Sequence, residues 1–412
     1  GVRREAKRGY TVFQVLSKYT AASALDKAIA PGIDKPLEAP PPKLRPAAAG
    51  QARGDAAVCL EILLGNPLNL LLAFAPLGMV SAALGWGDVA TFSLNFLAIA
   101  PLANILGVAT EELAIAVGPS LGGLLNATFG NVVEMILTLS ALNAGLLEVV
   151  KGSLVGSILS NLLLVLGMSF FVGGLKHKEQ TFHGMAANNQ SSLLLIAVLA
   201  MILPTLVAWL PDAPAGGEAV LSVSRGAAVI LALLYASYLF FQFVSHKEFI
   251  SMPDEDDEEA QLSPAAAVGL LLASTLAIAA CSEGLTGSVE GLTKDLGISQ
   301  SFVGIMLLPI VSNAAEHFTA VTMASKNKMD LALGIALGSS TQIALLMVPF
   351  AVFAGWAYGV PMDLNFHVLP SAVMLLTTLV VSSTLGDGRS NWLEGAMLMA
   401  AYMLIGIALW YV

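Results

Sequence analysis

The sequence predicts an all-α polytopic membrane protein of about eleven transmembrane helices, with one peripheral helix ahead of two inverted five-helix repeats. Three observations predict it. Charge is sparse and apolar runs are long: 56% of the 412 residues are hydrophobic and 12% are charged, where soluble domains carry about 25%. Mean hydropathy is +0.78. A polar motif recurs at a constant offset inside apolar segments. The number of apolar spans in each copy is odd.

The elements follow in chain order. Residues 1–60 read as a basic, Pro-rich arm on the cytosolic side. Ten of the 19 Lys and Arg residues lie in its first 55 positions, and it holds the Pro/Ala-rich stretch Glu38 to Gly50. It lacks the compact basic–apolar–small pattern of a signal peptide. A first, peripheral span occupies the 61–90 segment. Its predicted core is 62–84, and ten further spans follow at 91–115, 120–143, 152–174, 191–210, 225–244, 264–289, 300–324, 331–354, 367–385 and 391–411. Each is near the 20 or so apolar residues that cross a bilayer as a helix. The first repeat then covers 91–248, an acidic linker 249–263, and the second repeat 264–412. Lys176, His177, Lys178, Lys247, Lys326, Lys328 and Arg389 fall in loops on the arm's side. The opposite loops hold Asp88, Asp212, Glu218 and Asp363, with Lys151 and Lys294. That asymmetry places the arm in the cytosol.

"GNVVEMILTL" begins at Gly130 and "SNAAEHFTAV" at Ser312, an offset of 182. At this offset Asn131 meets Asn313 and Glu134 meets Glu316. The match runs on: Gly152 meets Gly334, Gly156 meets Gly338, and Ser157 meets Ser339. Five spans per copy make the second copy enter the membrane from the other side. This is the inverted-repeat plan of secondary transporters, whose sites lie near the midplane.

A carboxylate at the bilayer centre costs about 2.5–3.5 kcal/mol on insertion scales. Two carboxylates facing one site repel, so the pair needs a proton or a cation. Asn three residues before Glu shares its helix face and offers an amide oxygen. Such hard oxygen donors suit Ca²⁺, and no thiolate or His cluster selects zinc or copper. Cys59 and Cys281 give no metal spacing. Gly130 and Ser312 are expected to let the helices unwind beside the ion. Ser157, Ser339, Ser160 and Gln342, on the next helices, are expected to complete a polar ring. Two ionised glutamates with Ca²⁺ are neutral, as are two protonated ones without it. A carrier that changes sides only when neutral exchanges one Ca²⁺ for at least two protons.

Glu111 and Glu283, near the ends of the preceding spans, are candidates for a proton or ion pathway, with interfacial placement as the plainer reading. His317 is a candidate proton relay or a packing histidine. Asp254, Glu255, Asp256, Asp257, Glu258 and Glu259 form a solvated loop, or a short helix that gathers cations and regulates transport. The ligand periodicity of an EF-hand is absent.

"NATFGNVVEMILTLSAL" and "SNAAEHFTAVTMASKNKMDLALGIALGSSTQIALL" resemble the paired signature repeats of CAX-type Ca²⁺/H⁺ exchangers, within the wider cation/Ca²⁺ exchanger superfamily. The acidic run between the halves fits too, and the resemblance covers about residues 60–412. It implies an antiporter in a vacuolar or other acidic organelle membrane, moving cytosolic Ca²⁺ inward against returning protons. It also implies Glu134 and Glu316 as central ion ligands with Asn131 and Asn313 beside them, and Ser339 and Gln342 on the next helix. Ca²⁺, H⁺ and membrane lipids are the expected partners, without nucleic acid or cofactor. Three rivals stay open: a Na⁺-coupled or Mn²⁺-preferring exchanger of the same architecture, a passive channel, and an intramembrane enzyme. The last has only Glu316–His317 and "LGDG" at 385–388 as traces, and no H-E-x-x-H.

Overall fold

The structure, a computed structural model, describes residues 54–210, 217–245 and 260–411. Most of the predicted basic arm, Asp212 and the whole acidic run 254–259 lie outside the described residues. Nine described helices are long and apolar enough to cross a membrane, or up to eleven spans if each of two sharply bent pairs counts as one.

The predicted first span is one such pair. α1 (Asp55–Gly65) and α2 (Pro67–Ser81) meet at 92°. Pro67 has no N–H to continue the α1 ladder, and the Asn66 side chain accepts the Leu68 N–H at 2.9 Å to start the new segment. The helix therefore begins at Asp55, inside the stretch assigned to the arm, and bends where a straight span was expected.

The first repeat comprises α3 (Asp88–Val117), α4 (Pro119–Phe129), α5 (Val132–Asn143), α6 (Leu147–Lys176), α7 (Gly184–Ala208) and α8 (Glu218–Ser245). The second comprises α9 (Pro264–Gly287), α10 (Val289–Leu296), α11 (Gln300–Ser312), α12 (Ala314–Ser325), α13 (Met329–Tyr358), α14 (Val368–Asp387) and α15 (Trp392–Trp410). Apolar stretches of this length form helices because a bilayer leaves every backbone polar group to be satisfied within the segment. The predicted spans 120–143 and 300–324 are each two pieces, α4 with α5 and α11 with α12. α10 corresponds at the 182-residue offset to residues 107–114, the last turns of α3, but stands as a separate short helix that meets α11 at 114°, the second bent pair.

α3 and α9 lie side by side. α6 and α13, the counterpart helices of the two repeats, are the most buried spans, and α8 and α15 the least. Local π-turns interrupt α6 at Ser160–Val165, α11 at Val303–Leu307 and α13 at Ile343–Met347, a deviation frequent at functional sites. At one end of the bundle β1 (Gln180–Thr181) pairs antiparallel with β2 (Arg389–Ser390). The Gln180 amide donates to Ala324 O and to Asn327 Oδ1, both at 2.9 Å. That end also carries Lys176, Lys178, Lys326, Lys328 and Arg389, and is called the basic end below. At the opposite end the buried Lys151 ammonium lies 2.8 Å from Asp363 and 3.4 Å from Glu148. The charge asymmetry read from the loops is thus gathered onto two faces.

Candidate ion-binding site

Both broken spans break at asparagine. Asn131 sits at φ −108°, ψ 16° and Asn313 at φ −93°, ψ 17°, the sparsely populated bridge between helix and strand. The expectation that Gly130 would supply the unwinding is corrected here. Gly130 keeps helical angles, φ −58° and ψ −23°, as the end of α4, and Ser312 is the last residue of α11. The deviation is one residue wide, and each asparagine carbonyl starts the next half-helix, accepting from Met135 N and His317 N at 3.0 Å.

Neither asparagine side chain caps the half-helix it precedes. Both reach across to the other repeat instead. Asn131 Nδ2 donates to Gln342 Oε1 at 2.8 Å. Asn313 Nδ2 donates to the Ser157 carbonyl and to Asn161 Oδ1, each at 3.2 Å. Asn161 Nδ2 in turn donates to Ser339 Oγ at 2.9 Å. Amide pairs of this kind orient one another and leave the backbone at each break supported.

Glu134 and Glu316 are the third residues of α5 and α12, where the partial positive charge of a helix N-terminus favours a carboxylate. Glu134 is buried, with Glu316 and Ser312 near its carboxylate. The Ser312 hydroxyl donates to Asn313 Oδ1 at 3.2 Å. One oxygen of each glutamate, Oε2, is buried without a hydrogen-bond partner. Two unpartnered carboxylate oxygens from opposite repeats, with two amide groups beside them, form a donor set for a hard cation. Among the described residues no group of three or more His, Cys, Asp and Glu side chains gathers to hold a metal ion, here or elsewhere, so the donor set rests on two carboxylates and neighbouring amide, hydroxyl and carbonyl oxygens.

The other sequence candidates fall as follows. Ser157 contributes its carbonyl, Ser339 its hydroxyl and Gln342 its amide oxygen to the network. Ser160 is fully buried beside the Tyr402 hydroxyl of α15; the residue that links Asn313 to Ser339 is its neighbour Asn161, which sequence reasoning missed. The only signal for it was a lone amide in the apolar run that starts α6's π-turn. His317 Nδ1 contacts the Asn313 carbonyl at 2.5 Å. That carbonyl can only accept, so Nδ1 carries a hydrogen, and the buried Nε2 has no partner. Glu283 lines a cavity of about 580 Å³ with Asp88, Thr91 and Ser288, toward the end away from the basic residues. Glu111 stands in the last turns of α3, toward the basic end. Its neighbour Glu112 accepts the Gln261 and Leu262 N–H groups at 2.7 and 2.9 Å. The structure therefore separates Glu111 and Glu283 onto opposite ends of the bundle.

A family model for sodium/calcium exchanger proteins matches residues 87–244 and 266–411, the two repeats as the fold divides them. The chain belongs to the sodium/calcium exchanger protein family. Within this family it is 42% identical over 356 residues to a Ca²⁺/H⁺ antiporter of Aphanothece halophytica, covering 83% of this chain and 95% of that one. It is 41% identical over 359 residues to vacuolar cation/proton exchanger 2 of Oryza sativa subsp. japonica, covering 84% and 81%. The solved structure of native YfkE superposes with a TM-score of 0.73 at 37% identity, over 84% of this chain and 100% of that one. The exchanger is thus a multi-pass membrane transporter and not an enzyme.

Proposed function

We propose that this exchanger carries Ca²⁺ from the cytosol into an acidic compartment in return for protons, by alternating access to a midplane site built from Glu134 and Glu316. The observation that carries the proposal is the meeting of two half-helix glutamates from opposite repeats, each with an unpartnered buried oxygen. The relatives named as Ca²⁺/H⁺ and cation/proton exchangers support the choice of ions. Two carboxylates in a dry site cannot both stay ionised and empty. Bound to Ca²⁺ they are neutral, and protonated they are neutral again. Exchange between these two states moves at least two protons for each Ca²⁺. Asn131, Asn313, Gln342 and Ser312 offer further oxygens beside the carboxylates. The basic end is then cytosolic, by the positive-inside rule.

The test is Ca²⁺ uptake into vesicles with an acid interior, for the native exchanger and for Glu316→Gln. The amide keeps the shape and removes both the charge and the titratable proton. Uptake is expected to need the pH gradient, to collapse with a protonophore and to vanish in Glu316→Gln. Uptake that follows Na⁺ and ignores pH would move the coupling to sodium. Unimpaired transport by Glu316→Gln would place the site elsewhere.

A further inference from the structure

The repeat correspondence predicts equal packing in the two halves, and the structure departs from it at one set of glycines. On α6, Gly152 and Gly156 are buried against α11. A Cβ at Gly152 would lie 3.0 Å from Gly304 Cα, and a Cβ at Gly304 would lie 2.9 Å from Gly152 Cα. A Cβ at Gly156 would strike the Ile305 carbonyl and lie 2.7 Å from Pro309 Cγ. The two backbones touch. Beside this contact the cleft lined by Glu148, Lys151, Ser301, Ile305 and Phe366 holds about 10 Å³, room for about one water. The cleft between α6 and α11 at that end of the bundle is closed.

At the 182-residue offset, Gly152 corresponds to Gly334, Gly156 to Gly338, and Gly304 to Gly122. In the second half the same contact is open. No atom stands within 4 Å of a Cβ placed at Gly334 or at Gly338, and Gly334 is exposed. Gly122 abuts the Ala114 backbone of α3 instead, and the adjacent Gly123 lies under the Phe243 ring of α8. Exposure continues past Gly338 to Ser339 and Gln342, which are half-buried where their counterparts Ser157 and Ser160 are buried. A glycine inside a helix costs about 1 kcal/mol relative to alanine. Gly334 and Gly338 have helical backbone angles and room for a Cβ, so neither turn geometry nor close packing at the Cβ position in this conformation accounts for them. Helices in a bilayer associate through close contact of small residues, and the closed pair Gly152–Gly304 is such a contact.

We infer that Gly334 and Gly338 are the landing surface for Gly122 of α4 in the opposite conformation, in which Gly152 and Gly304 part. Each repeat thus owns one glycine gate, and the transport cycle closes one as it opens the other. This inference rests on the alternating-access reading above and adds the residues that seal each side. Gly122, Gly334 and Gly338 act as positioning residues: they touch no ion, and they set how closely α4 can approach α13.

Two measurements on the full-length exchanger test it. Gly334→Leu is expected to fold with an unchanged thermal midpoint and to bind Ca²⁺, because the side chain enters open space, while uptake falls at least tenfold. Gly334→Ala is expected to fall in between. With Cys59 and Cys281 changed to Ser, the pair Gly122→Cys with Gly334→Cys is expected to cross-link only during turnover, stopping transport until reductant is added. The pair Gly152→Cys with Gly304→Cys is expected to cross-link at rest. Native uptake by Gly334→Leu, or absence of the 122–334 cross-link in a pair that still transports, overturns the inference. If Glu316→Gln abolishes uptake while Gly334→Leu does not, the antiport reading stands and this one fails. If Glu316→Gln transports normally, the fault lies with the site itself.

Discussion

Asn161 spends its amide twice across the repeat boundary, donating to Ser339 and accepting from Asn313. Its loss would leave the buried Asn313 Nδ2 with the Ser157 carbonyl as its remaining acceptor. A buried donor deprived of a partner costs about 1–3 kcal/mol, and residues that orient ion ligands commonly control affinity by about 10–100-fold. Asn161→Ala is therefore expected to lower the thermal midpoint and to weaken Ca²⁺ binding at least tenfold, measured by calorimetric titration in detergent. An unchanged affinity would make the bond structural only. The glutamates and asparagines of the site were legible because each occurs twice at one spacing, which a helix-packing accident does not produce. Asn161 escaped the same filter because its counterpart at the offset is Ile343. The site is symmetric in its carboxylates and asymmetric in the amides that hold them. Gln342 serves Asn131, and Asn161, one position out of register, serves Asn313. Repetition finds the first class of residue and hides the second.

Helices α7 and α14 occupy the same place in the two repeats, and each is preceded by a histidine that reaches an acid in the other repeat. His183 N–H donates to Asp330 Oδ1 at 2.7 Å, with its ring 3.5 Å from Oδ2. His367 Nε2 donates to Glu148 Oε2 at 2.9 Å. Asp330 and Glu148 are counterparts at the 182-residue offset, in the first turns of α13 and α6. The histidines stand 184 apart, so an ungapped comparison passes over them. The two clasps lie on opposite faces of the bundle, as inversion requires. They are not equal, since Glu148 also neutralises the buried Lys151, whereas the counterpart of Lys151 is Leu333. Asp330→Asn is expected to cost less than about 1 kcal/mol, the usual worth of an exposed pair. Glu148→Gln is expected to cost more, because it strips a partner from a buried ammonium. Thermal unfolding of the two variants decides it, and equal or reversed losses would refute the ranking. At this scale the spans were legible from apolar length alone. The 92° bend at Pro67 and the division of two spans at Asn131 and Asn313 were not, because a break inside an apolar run leaves mean hydropathy unchanged.

The whole molecule is a pair of similar halves caught in dissimilar states. The end marked by Glu148, Asp363 and His367 is closed by the glycine contact of α6 with α11 and tied by Lys151. The basic end is tied by β1–β2, by Gln180 and by His183, while α13 stays open at Gly334. Lys151 links the first turns of α6 to Asp363, in the loop before α14, at 2.8 Å, so it joins the two repeats across the closed gate. Its ammonium is buried, but Asp363 and Glu148 are part-exposed, and water screens the pair. Its worth to the closed state is then about 1 kcal/mol, or about fivefold in the equilibrium between the two conformations. Lys151→Met keeps the length and the apolar stem and removes the charge. It is expected to shift the population toward the state open at that end without abolishing transport. Ser301 lines the closed cleft beside Lys151, so Ser301→Cys in the Cys59→Ser, Cys281→Ser background reports the shift. Its labelling by a membrane-impermeant thiol reagent from that side should rise severalfold when Lys151→Met is added, and should fall again when the cation site is filled from the basic end. If labelling is the same with and without Lys151, the ion pair is a passive anchor, and closure of that end rests on the glycine contact alone.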